Sequence, residues 1–247
     1  FGKTILTKVM FLSLILNNPK DVNIYILDLK GGLEYSKFLG LPQVKAVASD
    51  IFEATEILID VVEKMKESER LFKANGYTNI TETAIKERTF IFVDEGAELS
   101  PGIVGQDKKK LAQFCQSALS EIARIGRAVG FRLIYSTRYP SAKSVDMSIK
   151  QNIVARVSFV VPSNVASRVI LDDTGAEDLP SIPGRAIYSV DKKRTVQVPY
   201  ISDKQIFELL EGCKGEFSGD GEDRKVINDD RQVGSDDNKT TILNTWK

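Results

Sequence analysis

The sequence predicts an α/β fold with a mostly parallel central sheet and helices on both faces, and two observations carry that expectation. Runs of strand length such as Ile24-Tyr25-Ile26-Leu27 and Phe90-Ile91-Phe92-Val93 are continuously apolar, as strands covered on both sides must be. Between them lie longer stretches with apolar residues at three- and four-residue spacing, the period of a helix that rests one face on a sheet.

From Ile5 to Leu16 the chain is apolar on nearly all sides, which predicts a buried helix stopping near Asn17-Asn18-Pro19. A strand over Asn23–Asp28 follows and closes on an acid, and Lys30-Gly31-Gly32 marks the turn after it. Val44–Ala48 predicts a second strand. From Phe52 to Ala74, Ala54, Ile57, Leu58, Val61, Val62, Met65 and Leu71 line one side of an amphipathic helix. Thr89–Val93 predicts a buried strand ending on Asp94-Glu95. A helix from about Lys109 to Val129 leads through Gly130 into a strand over Phe131–Thr137. A strand over Ala155–Val161, a helix over Asn164–Leu171 and a hairpin of Arg185–Val190 with Thr195–Tyr200 complete the folded part, all expected to belong to the same domain. That domain is read as residues 1–211. Residues 212–247 turn to Gly, Ser, Asp, Asn and Lys and form a polar tail expected to be disordered.

Composition excludes several chemistries. The 247 residues carry 34 Lys plus Arg against 34 Asp plus Glu, include no His, and have two Cys. Without His there is no Ser-His-Asp triad, no His-ligated zinc and no imidazole proton shuttle. Cys115 and Cys213 make neither a four-ligand metal site nor a disulfide framework, which suits a reducing compartment. Catalysis must therefore run on carboxylates, Lys, Arg and hydroxyls. No apolar run approaches the roughly 20 residues that span a bilayer. The chain starts at Phe1, directly before Gly2-Lys3-Thr4, and is expected to be part of a longer protein.

Gly2-Lys3-Thr4 at a helix start is the second half of G-x-x-x-x-G-K-[ST], a loop whose amides cradle phosphates. In such a loop Lys3 would reach the β- and γ-oxygens and Thr4 would hold Mg²⁺. The tripeptide also occurs by chance, so its partner matters. Asp94-Glu95 closes an apolar strand some ninety residues later, at the sheet edge where ligands of α/β folds collect. There Asp94 can hold a metal ion and Glu95 can polarise an attacking water. An acid pair ending a strand on the surface is the alternative. In combination the two motifs point to nucleotide hydrolysis with Mg²⁺. Thr137 ends the next strand, beside the acids. Arg127 lies either on a solvated helix face or at a contact with a neighbouring subunit.

The order of segments then resembles a known family. Asp28-Leu29-Lys30-Gly31-Gly32-Leu33-Glu34, Phe92-Val93-Asp94-Glu95, Ile122 to Gly130, Ser136-Thr137-Arg138-Tyr139-Pro140-Ser141, Ile149 to Arg156 and Ser167 to Asp172 look like the motor domain of FtsK/SpoIIIE-type DNA translocases, from Phe1 to about Tyr200. The resemblance implies a RecA-like P-loop ATPase that forms a hexameric ring and pumps DNA through it. It implies nucleotide and Mg²⁺ binding at Lys3 and Thr4, metal-acid and base roles for Asp94 and Glu95, and an arginine finger at Arg127. Where the family usually has Thr-Gln-Arg-Pro, this chain has Thr137-Arg138-Tyr139-Pro140, and Asn164 stands where chromosome translocases tend to carry Lys. Two phosphate contacts are thus missing, and Arg138, Lys143 and Lys150 are candidates to replace them, as is Lys108-Lys109-Lys110. Net neutrality does not decide the matter, because only a channel need be positive.

The tail lacks the apolar periodicity of a winged-helix module, so the resemblance is to shorter members acting as coupling proteins in conjugative transfer. Such a protein would be anchored at the cell membrane by upstream segments, with this domain on the cytoplasmic side and a relaxosome as partner. Three alternatives stay open: a chromosome-segregation pump, a type VII secretion ATPase acting on proteins, and a degenerate module that binds nucleotide only to assemble.

Overall fold

The computed structural model describes residues 2–138, 140–141 and 144–212. Tyr139, Lys143, Cys213 and the tail from 213 onward, on which expectations were placed above, lie outside the described residues.

Four strands form a parallel sheet: β1 (Val22–Asp28), β2 (Val44–Ala48), β3 (Arg88–Asp94) and β4 (Phe131–Tyr135), in the order β2-β1-β3-β4. Helices α1 (Lys3–Asn17), α2 (Ile51–Asn75) and α3 (Lys109–Ile125) link or precede them. Side chains alternate along each strand, so one face of β1 and β3 presents Tyr25, Leu27, Ile91 and Val93 to α2 and α3. The other presents Ile24, Ile26 and Phe92 to α1. Both faces are covered, as the continuous apolar runs require.

Helix ends follow local chemistry. Asp50 caps α2 by accepting from the amides of Phe52 and Glu53 at 2.8 and 3.0 Å, and Gly76 ends it in the left-handed region at φ 72°. The helix predicted to run to Val129 stops at Ile125, and Gly126–Val129 tighten into a 3₁₀ turn before Gly130.

The second half of the domain contains the expected hairpin, in a sheet of its own. β5 (Arg156–Phe159), β6 (Arg185–Ser189) and β7 (Lys193–Gln197) do not extend the parallel sheet but form their own antiparallel one, ordered β5-β6-β7. Arg156-Val157-Ser158-Phe159 mixes charge with apolar residues, and β7 is mostly exposed. Such strands suit a sheet with one wet face. Two short helices, α4 (Met147–Asn152) and α5 (Asn164–Leu171), flank β5.

A last helix, α6 (Asp203–Gly212), packs Ile206 and Leu210 on the α1 side of the main sheet. It went unassigned in the sequence, although Ser202 and Gln205 make a capping box there: the Ser202 amide donates to the Gln205 side chain at 2.9 Å and the Gln205 amide donates back to the Ser202 hydroxyl at 3.3 Å. Lys8 of α1, buried, pairs with Asp203 at 2.9 Å and Glu34 at 2.7 Å, joining α6 and the loop after β1 to α1. Burial presses the Lys8 ammonium down, but these two carboxylates outweigh it and hold its pKa above the ordinary lysine value.

Phe11 is fully buried against the rings of Phe38 and Phe92, at centroid distances of 4.9 and 6.3 Å. Phe11→Ala is expected to cost about 3–5 kcal/mol in urea unfolding. Leu33→Ser, at an exposed side chain, should stay within about 0.5 kcal/mol.

Candidate functional site

The register of the sheet brings three carboxylates to one edge. Asp28 pairs with Asp94 as the last residues of β1 and β3, and Glu95 follows immediately. None of the three is more than 2% exposed. Carboxylates at that depth must be compensated by cations or donors, and the neighbouring elements supply them.

The first is α1. Its N-terminus arrives at the same edge, and Lys3 Nζ donates to Asp94 Oδ1 while lying 3.7 Å from Glu95 Oε2. Gly2 caps the helix at φ 133° with no side-chain partner, and a Cβ there would sit 2.4 Å from the Phe159 ring. Only glycine fits both demands, and the first-turn amides are left facing outward for an anion. Thr4 occupies the same turn, half-buried.

The second is the loop after β1. Asp28 Oδ2 accepts from the amides of Glu34 and Tyr35 at 2.8 and 3.1 Å, and Gly31 and Gly32 take φ 76° and 71°. The chain is thereby folded back, and Lys30 Nζ comes within 2.9 Å of Glu95 Oε2.

The third is the segment after β4. Thr137 Oγ1 and the Arg138 amide donate to Glu95 Oε1 at 3.0 and 2.8 Å, and Ser136 Oγ donates to Asp94 Oδ1 at 3.1 Å. Glu95 itself stands in the left-handed region at φ 63°, which costs a non-glycine residue about 1–2 kcal/mol. Gly96 follows because a Cβ there would run into the Tyr135 ring at 2.1 Å. Burial pushes the Glu95 carboxyl up, but Lys30, the Arg138 amide, Lys3 and Thr137 outweigh it, so the group is held below the usual glutamate range. It is therefore ionised at neutral pH.

Among the described residues, Asp94 Oδ2 is buried with no hydrogen-bond partner. An acceptor left open at the N-terminus of α1, where Lys3 meets Asp94, fits a hydrated divalent cation held jointly with phosphate oxygens, the usual manner of Mg²⁺. No group of three or more acidic, His or Cys ligands forms a cage among the described residues, so a cation here would depend on those shared oxygens.

Gly2, Lys3, Thr4, Asp94, Glu95 and Thr137 are thus gathered at one edge. Arg127 is not. It precedes β4, whose first residue Phe131 pairs with Thr89, five positions before Asp94, which places exposed Arg127 at the opposite edge, on the order of 16 Å along the strand. It cannot serve this subunit's own acids. Arg138 sits on the site, its Nε 3.7 Å from Glu95 Oε2 and its side chain half exposed. Lys150 does not stand as a free cation: its side chain is 12% exposed and paired with Asp172, which Arg156 also holds. Lys108 lies over the Phe52 ring, 5.6 Å from its centroid. The residues that sequence reasoning left without a task are Lys30 and Ser136, and the signal for Lys30 was the lysine-glycine-glycine turn directly after an acid-terminated strand.

The FtsK/SpoIIIE family model matches residues 1–98, the stretch that holds Lys3, Lys30, Asp94 and Glu95. The chain is 29% identical over 239 residues to a DNA translocase FtsK of Caldanaerobacter subterraneus subsp. tengcongensis, covering 91% of this chain and 32% of that protein. It is 27% identical to a DNA translocase FtsK of Lactiplantibacillus plantarum, covering 93% of this chain and 30% of the relative. The chain therefore spans about a third of the length of these curated relatives. In fold it is similar to the pCW3 conjugation coupling protein TcpA, solved with ATPγS, at TM-score 0.76 and 24% identity over 86% of this chain and 62% of that one. It is also similar to the cytoplasmic domain of the type VII secretion ATPase EccC of Thermomonospora curvata, at TM-score 0.70 and 20% identity over 90% of this chain and 27% of that one.

Breaking the Lys3–Asp94 contact strands a buried carboxylate. Lys3→Ala is expected to lower stability by about 3 kcal/mol in urea unfolding, and adding Asp94→Asn should restore most of it. Additive losses in the double variant would show that the pair is not coupled.

Proposed function

Since the chain belongs to the FtsK/SpoIIIE family, we propose that it is an ATP-driven DNA translocase motor, working in a hexameric ring as the coupling protein of a conjugative element. The observation that carries the ATPase part is the convergence of Lys3, Asp94 and Glu95 at the carboxyl edge of a parallel sheet, on the N-terminus of α1. Lys3 leaves Asp94 for the β- and γ-phosphate oxygens of ATP. Thr4 and Asp94 would hold Mg²⁺, which when bound neutralises charge on those oxygens. Glu95, ionised and fixed through Oε1 by Thr137 and the Arg138 amide, orients the attacking water. Arg127, far from this subunit's own acids, would act on the nucleotide of the next subunit in the ring.

The conjugative assignment is supported by the likeness in fold to a conjugation coupling protein. The motor would work on the cytoplasmic side of the membrane with relaxosome proteins as partners. Among the described residues no helix is long and apolar enough to cross a membrane, so an anchor would come from other segments of the full-length protein. A second reading, a secretion ATPase with protein substrates, is favoured by one observation: Lys150, offered as a DNA contact, is consumed by Asp172.

ATP hydrolysis by the full-length protein should rise on adding DNA, and the stimulation should fade as salt is raised, because phosphate contacts release counterions. Hydrolysis indifferent to DNA would favour the secretion reading. Glu95→Gln is expected to lower kcat about a hundredfold or more while leaving ATP affinity within a few-fold. Wild-type turnover in Glu95→Gln would remove Glu95 from the chemistry.

A further inference from the structure

Three cations face Glu95 Oε2, and Lys30 is the nearest: 2.9 Å, against 3.7 Å for both Lys3 and Arg138. Lys3 has a task on the phosphates and Arg138 is half exposed, whereas Lys30 Nζ is buried with no hydrogen bond beyond this ion pair among the described residues. A buried ammonium is costly to hold in place, yet the backbone is built to hold it there. The wholly buried Asp28 gathers the Glu34 and Tyr35 amides, its carbonyl accepts the Gly32 amide at 3.0 Å, and two consecutive left-handed glycines turn the chain back on the sheet. The same loop is fastened to α1, through Tyr35 to the Thr7 hydroxyl and through Glu34 to Lys8. Lys30 is thus carried on a frame shared with the helix that bears Lys3.

Glu95 needs such a partner. Its Oε1 is held from the β4 side by Thr137 and the Arg138 amide, whereas Oε2, buried and the oxygen left for a water, has only the surrounding cations to set its place, Lys30 nearest among them. We propose that Lys30 is a positioning residue for ATP hydrolysis, fixing Glu95 Oε2 so that the carboxylate meets the attacking water in one orientation. This rests on Glu95 acting in hydrolysis as set out above. A group that fixes the base without touching substrate affects turnover and not substrate binding.

The test is steady-state ATP hydrolysis by the full-length protein as wild type, Lys30→Met, Lys30→Arg, Glu95→Gln and Lys30→Met/Glu95→Gln. Lys30→Met is expected to lower kcat about tenfold or more with KM for ATP within about twofold, Lys30→Arg to recover part of the loss, and the double variant to be no slower than Glu95→Gln alone. If Lys30→Met does not fold, Lys30→Gln, which keeps a donor but no charge, must show the same fall in kcat. A kcat within about twofold of wild type, a raised KM at unchanged kcat, or a further loss on top of Glu95→Gln each overturns the positioning role. Those results beside an active wild type overturn this inference alone. A wild type that binds ATP and hydrolyses none overturns the functional reading and this inference with it.

Discussion

Everything at the candidate site follows from the burial of Asp28, Asp94 and Glu95 at one edge of an apolar sheet. Three carboxylates removed from water do not persist there without compensation, and each neighbouring segment is shaped by supplying it. Helix α1 starts where it does so that Lys3 can reach Asp94, and Gly2 is needed because no side chain fits between the helix start and Phe159. The loop after β1 folds back on two glycines and returns Lys30 to Glu95. The chain after β4 turns its hydroxyls and one amide inward instead of continuing the strand.

Packing makes that edge rigid. The two faces of the sheet are filled by separate apolar clusters, one beneath α2 and α3 and one beneath α1 and α6. Lys8 then locks α1, the loop after β1 and the start of α6 into one frame with two ion pairs. A site made of short contacts between different elements needs such a frame, since a displacement of about 1 Å is enough to impair chemistry that depends on orientation. The strained backbone at Glu95 fits this picture. It aims the carboxylate between β1 and β4 in a way that ordinary strand geometry would not.

Much of this was legible in the sequence because the controlling signals are local. The continuous apolar runs at Ile24–Leu27 and Phe90–Val93 showed buried parallel strands. Gly2-Lys3-Thr4 and Asp94-Glu95 showed the two halves of the site. What was not legible depends on contacts between distant segments. Nothing local to Lys150 announces that Asp172, 22 residues on, will take its ammonium. The Lys30-Gly31-Gly32 turn after Asp28 announces a reversal of the chain but not that Lys30 ends on Glu95 of another strand. The separate antiparallel sheet was missed because strand signals in Arg156–Phe159 and Arg185–Ser189 state that strands exist but not which edge they join. The register of β4 puts Arg127 at the far edge of the sheet from this subunit's acids, so its reading as an arginine finger concerns a neighbouring subunit.

The central claim is that Lys3 is held by Asp94 only until phosphate replaces it, which frees Asp94 for a metal ion. The most direct test is a structure of the full-length protein with Mg²⁺ and ATPγS bound. The account predicts Lys3 Nζ withdrawn from Asp94 and lying on phosphate oxygens, with the metal ion at Thr4 and Asp94. Nucleotide bound elsewhere, with Lys3 still on Asp94, would contradict it.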